Sequence, residues 1–402
     1  MVNERRLIDR PMVATAAGLK ELVAELRAAG RFAVDTEFSG ERTYVPRLCL
    51  VQVATTEFIA LIDTLAIHDL TDFWDLVTDP AVEKVVHAAR EDLRIAYFGA
   101  GRKVARNVFD TQIAAALVGL SQYPLSYARL VEALQGVRLA KTETRSEWDR
   151  RPLTVDQISY ARDDVRYLLP MTDRLKNLME RLGRSEWIHQ EMERFADPRT
   201  FEADPDEAYL RLRIPRGGLT ARATAMLRDL TAWRERYAAD SNVPTRTVLK
   251  DETLMDIVQR SPKRITDLTR IRSFPVGEEG TLGHSVLQVL EKVRALTTEE
   301  LPDPLTALED ETPAQKALID LVNAIGAAIC LRQNIAPELA VTRTSVAELV
   351  RGSNRSPLKS GWRYEALGKQ LVEFVEGRAT LQALVAGGEV IPAFHTNEPA
   401  DS

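Results

Sequence analysis

A chain of 402 residues is too long for one ordinary core and predicts two or three domains. Hydrophobic residues at 45% and charged residues at 28% are globular proportions, which exclude collagen-like, disordered and disulfide-framework classes. The net charge of −6 excludes a uniformly basic nucleic-acid coat, although such an average can hide a local patch.

In chain order, residues 15–29 predict a helix capped by Thr15, with Leu19, Leu22, Val23 and Leu26 on one face. Strands follow at 32–38 (FAVDTEF), 48–54 and 57–62, the last two joined as a hairpin near Thr55–Thr56. Short strands are expected at 84–87 (KVVH) and 104–109, then helices at 111–119, 126–135 and 154–181. Strands first and helices interleaved later predict an α/β domain over 1–183. Beyond it the strand signals fade. Residues 184–212 read as a linker, 213–298 as a helical module, 299–313 as an acidic linker, 314–388 as a second helical module and 389–402 as a loose tail. The first module is locally basic, with 15 Lys/Arg against 10 Asp/Glu, and Arg213, Arg216, Arg222, Arg234, Arg246 and Lys250 offer it cations for a polyanion. Two distant cysteines, Cys49 and Cys330, predict free thiols in a reducing compartment. No apolar run approaches the ~18 residues that span a bilayer, and MVNERRLIDRP lacks a leader's apolar stretch, so a cytoplasmic, non-membrane protein is expected.

Three acidic sites stand out. Asp35 and Glu37 alternate to one face of a strand, where two like charges repel unless a cation joins them. A solvated edge strand is the plain alternative. Asp92, in HAAREDLRI, falls in the first turn of a helix, where any acid favours the dipole and Glu91 would serve as well. Tyr160 and Asp164 lie four residues apart on one helical face, and spacing alone leaves Asp163 as a rival.

Together and in this order, D-x-E on a first strand, D opening a middle helix and Y-x-x-x-D on a late helix resemble the DEDD superfamily of 3′–5′ exonucleases, in its tyrosine-containing branch. FAVDTEF, LCLVQVA, VVHAAREDL, FDTQIAA and KTETRSEWDRRPLTVDQISYARDDVRYLLP resemble the ribonuclease D family over roughly residues 10–183. RDLTAWRERYAADSNVPTRTVLKDETLMDIVQRSP resembles its HRDC domain, and SPLKSGWRYEALG its second, more divergent helical module.

The resemblance implies a ribonuclease H-like mixed-sheet exonuclease domain followed by two small all-helical HRDC-like domains. It implies two divalent metal ions (Mg²⁺ or Mn²⁺, with Zn²⁺ or Co²⁺ as alternatives) held by Asp35, Glu37, Asp92 and Asp164, with Tyr160 orienting the attacking water. Its pattern selects Asp164 over Asp163. It also implies RNA as partner, tRNA precursors above all, and a monomer without protein partners. Thr36, Phe38, Lys141, Arg145 and Trp148 are candidate substrate contacts, although alternation puts Thr36 and Phe38 on the face opposite Asp35. His87 is expected in a core or supporting role, and buried Gln52 should find a hydrogen-bond partner.

Overall fold

The structure, a computed structural model, describes residues 7–40, 42–120, 123–139, 146–202, 204–272, 274–275, 280–306 and 311–396. The chain divides into two compact units. One contains residues up to Phe38, then Leu48–Pro198, and the chain from Glu311 onward; the other is Ser39–Arg47 with Arg199–Asp310.

The first unit is built on a six-stranded sheet in the order β1-β4-β3-β2-β5-β6. The strands are β1 (Ile8–Asp9), β2 (Arg31–Ser39), β3 (Arg47–Ala54), β4 (Phe58–Asp63), β5 (Glu83–Val86) and β6 (Val108–Asp110). β3 and β4 pair antiparallel, whereas β2, β5 and β6 run parallel, so the sheet is mixed as expected. Helix α1 (Ala16–Ala29) starts where Thr15 Oγ1 accepts the Gly18 N–H, and buries Leu19, Leu22, Val23 and Leu26. Gly30, at φ 68°, ends it in a left-handed turn that a side chain would resist, and the chain reverses into β2. Helices α2 (Thr71–Thr78), α3 (Arg90–Gly99), α4 (Thr111–Leu117), α5 (Tyr127–Gln135), α6 (Val155–Arg166) and α7 (Leu168–Arg181) complete the domain. The expected helix over 154–181 is two helices broken at Tyr167. The strand expected over 104–109 is formed only at its end, and β1 and α2 carry too short a pattern to be read.

Two expectations need correction, and a third needs a qualification. Residues 184–212 do not form a plain linker. Helix α8 (Ser185–Glu193) belongs to the first unit and packs against its C-terminal part. There Arg184 donates to the carbonyl oxygens of Leu117, Gln333 and Asn334, and Trp187 stacks on Trp362 at 5.2 Å. Glu191, buried, accepts from Trp362 Nε1 at 2.8 Å and from Arg363 at 2.6 Å. The last module is not all-helical either. It ends in an antiparallel hairpin of β7 (Ala379–Ala386) and β8 (Glu389–Thr396), turned by Gly387 and Gly388 at positive φ, where helix and a loose tail were expected. Finally, one helix among the described residues, α14 (Pro313–Arg332), is long and apolar enough on average to cross a membrane. Lys316 and Asp320 interrupt it, so no unbroken apolar run betrays it in the sequence. Its Ile319, Val322, Ile325, Ile329 and Cys330 are buried within the protein, and Gly326 lets Val341 and Leu371 approach closely.

The second unit is helical as expected, with α9 (Ala221–Asp240), α10 (Thr245–Val248), α11 (Asp251–Arg260), α12 (Ile265–Leu268) and α13 (Thr281–Ala295). Leu227, Leu230, Leu254, Ile257, Val286 and Leu290 are fully buried in its core. The β2–β3 connection belongs to this unit: Val45 N–H donates to Asn242 Oδ1 at 3.1 Å.

Candidate active site

The site assembles at the C-terminal ends of β2 and β5. Alternation along β2 sends Asp35 and Glu37 to one face. Helix α6 crosses that face, seated by Ala161 against a cluster containing Cys49, Leu50 and Leu61. It is started by a reciprocal cap, with Thr154 Oγ1 accepting Gln157 N–H and Gln157 Oε1 accepting Thr154 N–H. This seating delivers Asp164, whose carboxylate oxygen lies with those of Asp35 and Glu37 within 4.8 Å of one another.

Asp92 arrives from β5 in the first turn of α3. Its carboxylate accepts the Thr36 hydroxyl, and its charge acts on Asp35, Glu37 and Asp164. All four expected acids therefore share one electrostatic site, three in mutual ligand distance and the fourth tied to the strand between the first two. Thr36, a candidate substrate contact, uses its hydroxyl to hold Asp92.

Burial dominates the electrostatics. It pushes Asp35 well above the usual carboxylate range, and the negative charges of Asp92, Asp164 and Glu37 add to it. Glu37 is pushed up to about 9 by burial, then by Asp164 and Asp92. Asp164 rises to about 7 by burial and the Asp163 charge, restrained by the Tyr160 hydroxyl. Asp92 rises to about 6 by burial, restrained by Thr36. The charges acting on Asp35 among the described residues are negative, so the cage suits a cation.

Asp163 and Asp164 part company. Asp163 turns outward, 2.9 Å from Arg166, which also reaches Asp9. Tyr160 donates to Asp164, and burial raises its phenol above the ordinary value. Trp148 is buried with its ring 6.1 Å from that of Tyr160. Expected as a candidate substrate contact, it is instead buried and backs the tyrosine. Phe38 is half-buried on β2. Lys141 and Arg145 lie outside the described residues.

Supporting residues escaped the sequence reading. Asp110 is buried, caps α4 through Gln112 N–H at 2.8 Å, and accepts Ala88 N–H at 3.1 Å. It thereby fixes the turn, with Ala88 at φ 56°, from which α3 and Asp92 start. An Asp placed directly after a strand and before an apolar helix was its available signal. Tyr127 donates to the Asp163 carbonyl oxygen at 2.8 Å and accepts Tyr167 N–H at 3.2 Å, bracketing the turn that presents Asp164. His87 sits edge-on to Tyr127, pinned between Thr111 and the Leu125 carbonyl, in the supporting role expected of it. Gln52 is fully buried, yet among the described residues neither of its amide atoms has a partner, against expectation.

The chain also resembles known proteins along most of its length. Residues 11–180 match a family model described as 3′-5′ exonuclease, and residues 223–290 match the HRDC domain. A ribonuclease D of Gluconacetobacter diazotrophicus is 37% identical over 376 residues, 93% of this chain and 94% of that one. One of Sphingobium indicum is 36% identical over 372 residues, 92% and 95% of the two chains. Among solved structures, Escherichia coli RNase D, described as an exoribonuclease involved in structured RNA processing, superposes with a TM-score of 0.79 at 30% identity, covering 91% of this chain and 98% of that one.

Proposed function

The chain belongs to the ribonuclease D family of 3′–5′ exoribonucleases, and from that premise we propose that Asp35, Glu37, Asp92 and Asp164 hold two divalent cations at the 3′ end of an RNA. The observation that carries this reading is the convergence of three carboxylate oxygens within 4.8 Å, with the Asp92 charge acting on all three residues. An all-carboxylate donor set suits hard cations such as Mg²⁺ or Mn²⁺, which take oxygen ligands. When bound, such ions supply a water of lowered pKa and neutralise charge on the departing 3′ oxygen.

The remaining work belongs to the chain. Tyr160, its phenol raised by burial and by three carboxylates, stays protonated. It orients the attacking water rather than taking its proton. Trp148 behind it, and Tyr127 beside the Asp163–Tyr167 turn, keep the tyrosine and Asp164 in place. Attack at phosphorus breaks the bond to the 3′ oxygen and releases a 5′-mononucleotide, after which the shortened RNA presents a new 3′ hydroxyl. We assign structured RNAs as substrates, tRNA precursors among them, on the likeness to the E. coli enzyme. The buried free thiols of Cys49 and Cys330 suit a reducing cytoplasm.

The test is mononucleotide release from a 3′-extended tRNA in Mg²⁺, in EDTA, and by Asp35→Asn. Release in Mg²⁺ alone is expected. Activity that survives both EDTA and the substitution overturns the metal cage.

A further inference from the structure

Residues 146–153, the approach to α6, form neither helix nor strand, so no regular ladder satisfies their peptide groups. Two apolar side chains anchor this strap. Trp148 and Leu153 are buried with Cys49, Leu50, Leu61 and Ala161, and Tyr160 packs against the same cluster. Between the two anchors stands the partly buried Arg151.

Every nitrogen of its guanidinium is committed. Nε and Nη2 fork onto the Asp63 carboxylate at the end of β4, each at 2.7 Å. Nη2 also donates to the Cys49 carbonyl oxygen on β3 at 2.7 Å. Nη1 turns back on the strap and donates to the carbonyl oxygens of Trp148 at 2.9 Å and Arg150 at 2.8 Å. One planar group thus rivets the strap to two neighbouring strands, which a lysine, with a single compact ammonium, cannot reproduce. Asp63 is itself fixed, its carboxylate accepting the N–H groups of Leu65 at 3.0 Å and Ala66 at 3.3 Å. Burial alone would raise its carboxyl, but the hydrogen bond and charge of Arg151 outweigh burial and hold it below its ordinary value. On its other side β3 adjoins β2, which carries Asp35 and Glu37.

We infer that Arg151, gripped by Asp63, is a positioning residue for the reaction: it fixes Trp148 to the sheet, and through the Trp148 ring it sets where the Tyr160 hydroxyl stands relative to the acids of β2. This deepens the reading of the chain as an exoribonuclease and rests on it. The tyrosine is held from two sides, by its own helix and by a ring 6.1 Å away whose backbone carbonyl Arg151 holds. None of the bonds of Arg151 goes to a cage acid, so its loss spares metal binding and acts on turnover. A shift of about 1 Å at a group that orients a reactant costs roughly 100-fold in rate.

The experiment follows mononucleotide release from a 3′-extended tRNA by the full chain, together with Mn²⁺ affinity by calorimetry. Arg151→Lys keeps a charge opposite Asp63 and loses the fork. It should lower kcat about 10–100-fold while KM and Mn²⁺ affinity stay within about twofold. Asp63→Asn, which loosens the same grip, should show the same split, and carries the test alone should Arg151→Lys not fold. Adding Arg151→Lys to Tyr160→Phe should cost little beyond Tyr160→Phe itself, because both act at one hydroxyl, whereas independent effects multiply. Where Tyr160→Phe turns over too slowly to be divided, the split between kcat and Mn²⁺ affinity decides. Unchanged kcat in a folded variant, a fall in Mn²⁺ affinity as large as that in kcat, or multiplying losses overturn the inference and leave Arg151 a purely structural ion pair. Mononucleotide release by the wild type in Mg²⁺ is read separately, and its absence overturns the exoribonuclease reading itself.

Discussion

Glu37→Gln should make the metal-stripped protein more stable and, at the same time, inactive. Glu37 titrates at about 9 in the folded chain against an ordinary 4.5, first because it is buried and then because Asp164 and Asp92 stand beside it. Between those values the folded protein keeps a proton that the unfolded chain releases, so stability falls as pH rises through the window. At pH 7 the folded state bears ~3 kcal/mol for this one group, at about 1.4 kcal/mol per pH unit. Glutamine keeps the shape and does not titrate. In EDTA the variant should therefore melt several degrees above wild type at pH 7–8, with the gap closing toward pH 5. Adding Mg²⁺ should raise the wild-type melting temperature by mass action and leave the variant nearly unmoved. Thermal melts by circular dichroism over pH 5–8.5, with and without Mg²⁺, read all of this. A gap that is absent at pH 8, or that widens as pH falls, refutes the reasoning.

Two further outcomes are expected. Asp164→Asn should abolish mononucleotide release, whereas Asp163→Asn, which loses a half-exposed pair with Arg166, should cost under about 1 kcal/mol of stability and little turnover; equal loss of turnover in both would mean that the cage takes the other acid. Tyr127→Phe leaves the Tyr167 N–H and the Asp163 carbonyl short of a partner, so metal affinity by calorimetry should fall roughly 10–100-fold, as for other removed supports of metal ligands, and unchanged affinity would deny the tyrosine that role.

The acids of the cage were legible through the family pattern, while local chemistry alone left alternatives open. A period of two puts Asp35 and Glu37 on one face, and a strand followed by a helix puts Asp92 at a strand end. Spacing alone left Asp163 and Asp164 open and the family pattern chose Asp164; Arg166, which bridges Asp163 to Asp9, gives the physical reason, and only tertiary packing brings it there. Trp148 stood among the candidate substrate contacts because nothing in its own segment reveals that Tyr160, on the next helix, covers it. Arg222 and Arg234 looked available for the same reason, since their acceptors lie on other turns of the chain. The terminal hairpin is a different case. Its Gly387–Gly388 turn was present in the sequence, but a helical environment upstream outweighed eight residues on either side.

The grip of Arg184, Trp187 and Glu191 on the C-terminal part reorders the protein in time as well as in space. Residues up to Pro198 leave the ribosome first, but most of the partners of Arg184, Trp187 and Glu191 begin only after Glu311. The intervening unit must be made before they arrive. Until then Arg184 and Glu191 lack some of the acceptors and donors that the finished fold provides, and α8 is covered only on the side that meets α4 and β6. The nascent nuclease is therefore an unfinished fold for the length of more than a hundred codons. A stop within the last module would strike at the catalytic unit, although every cage acid had already been translated.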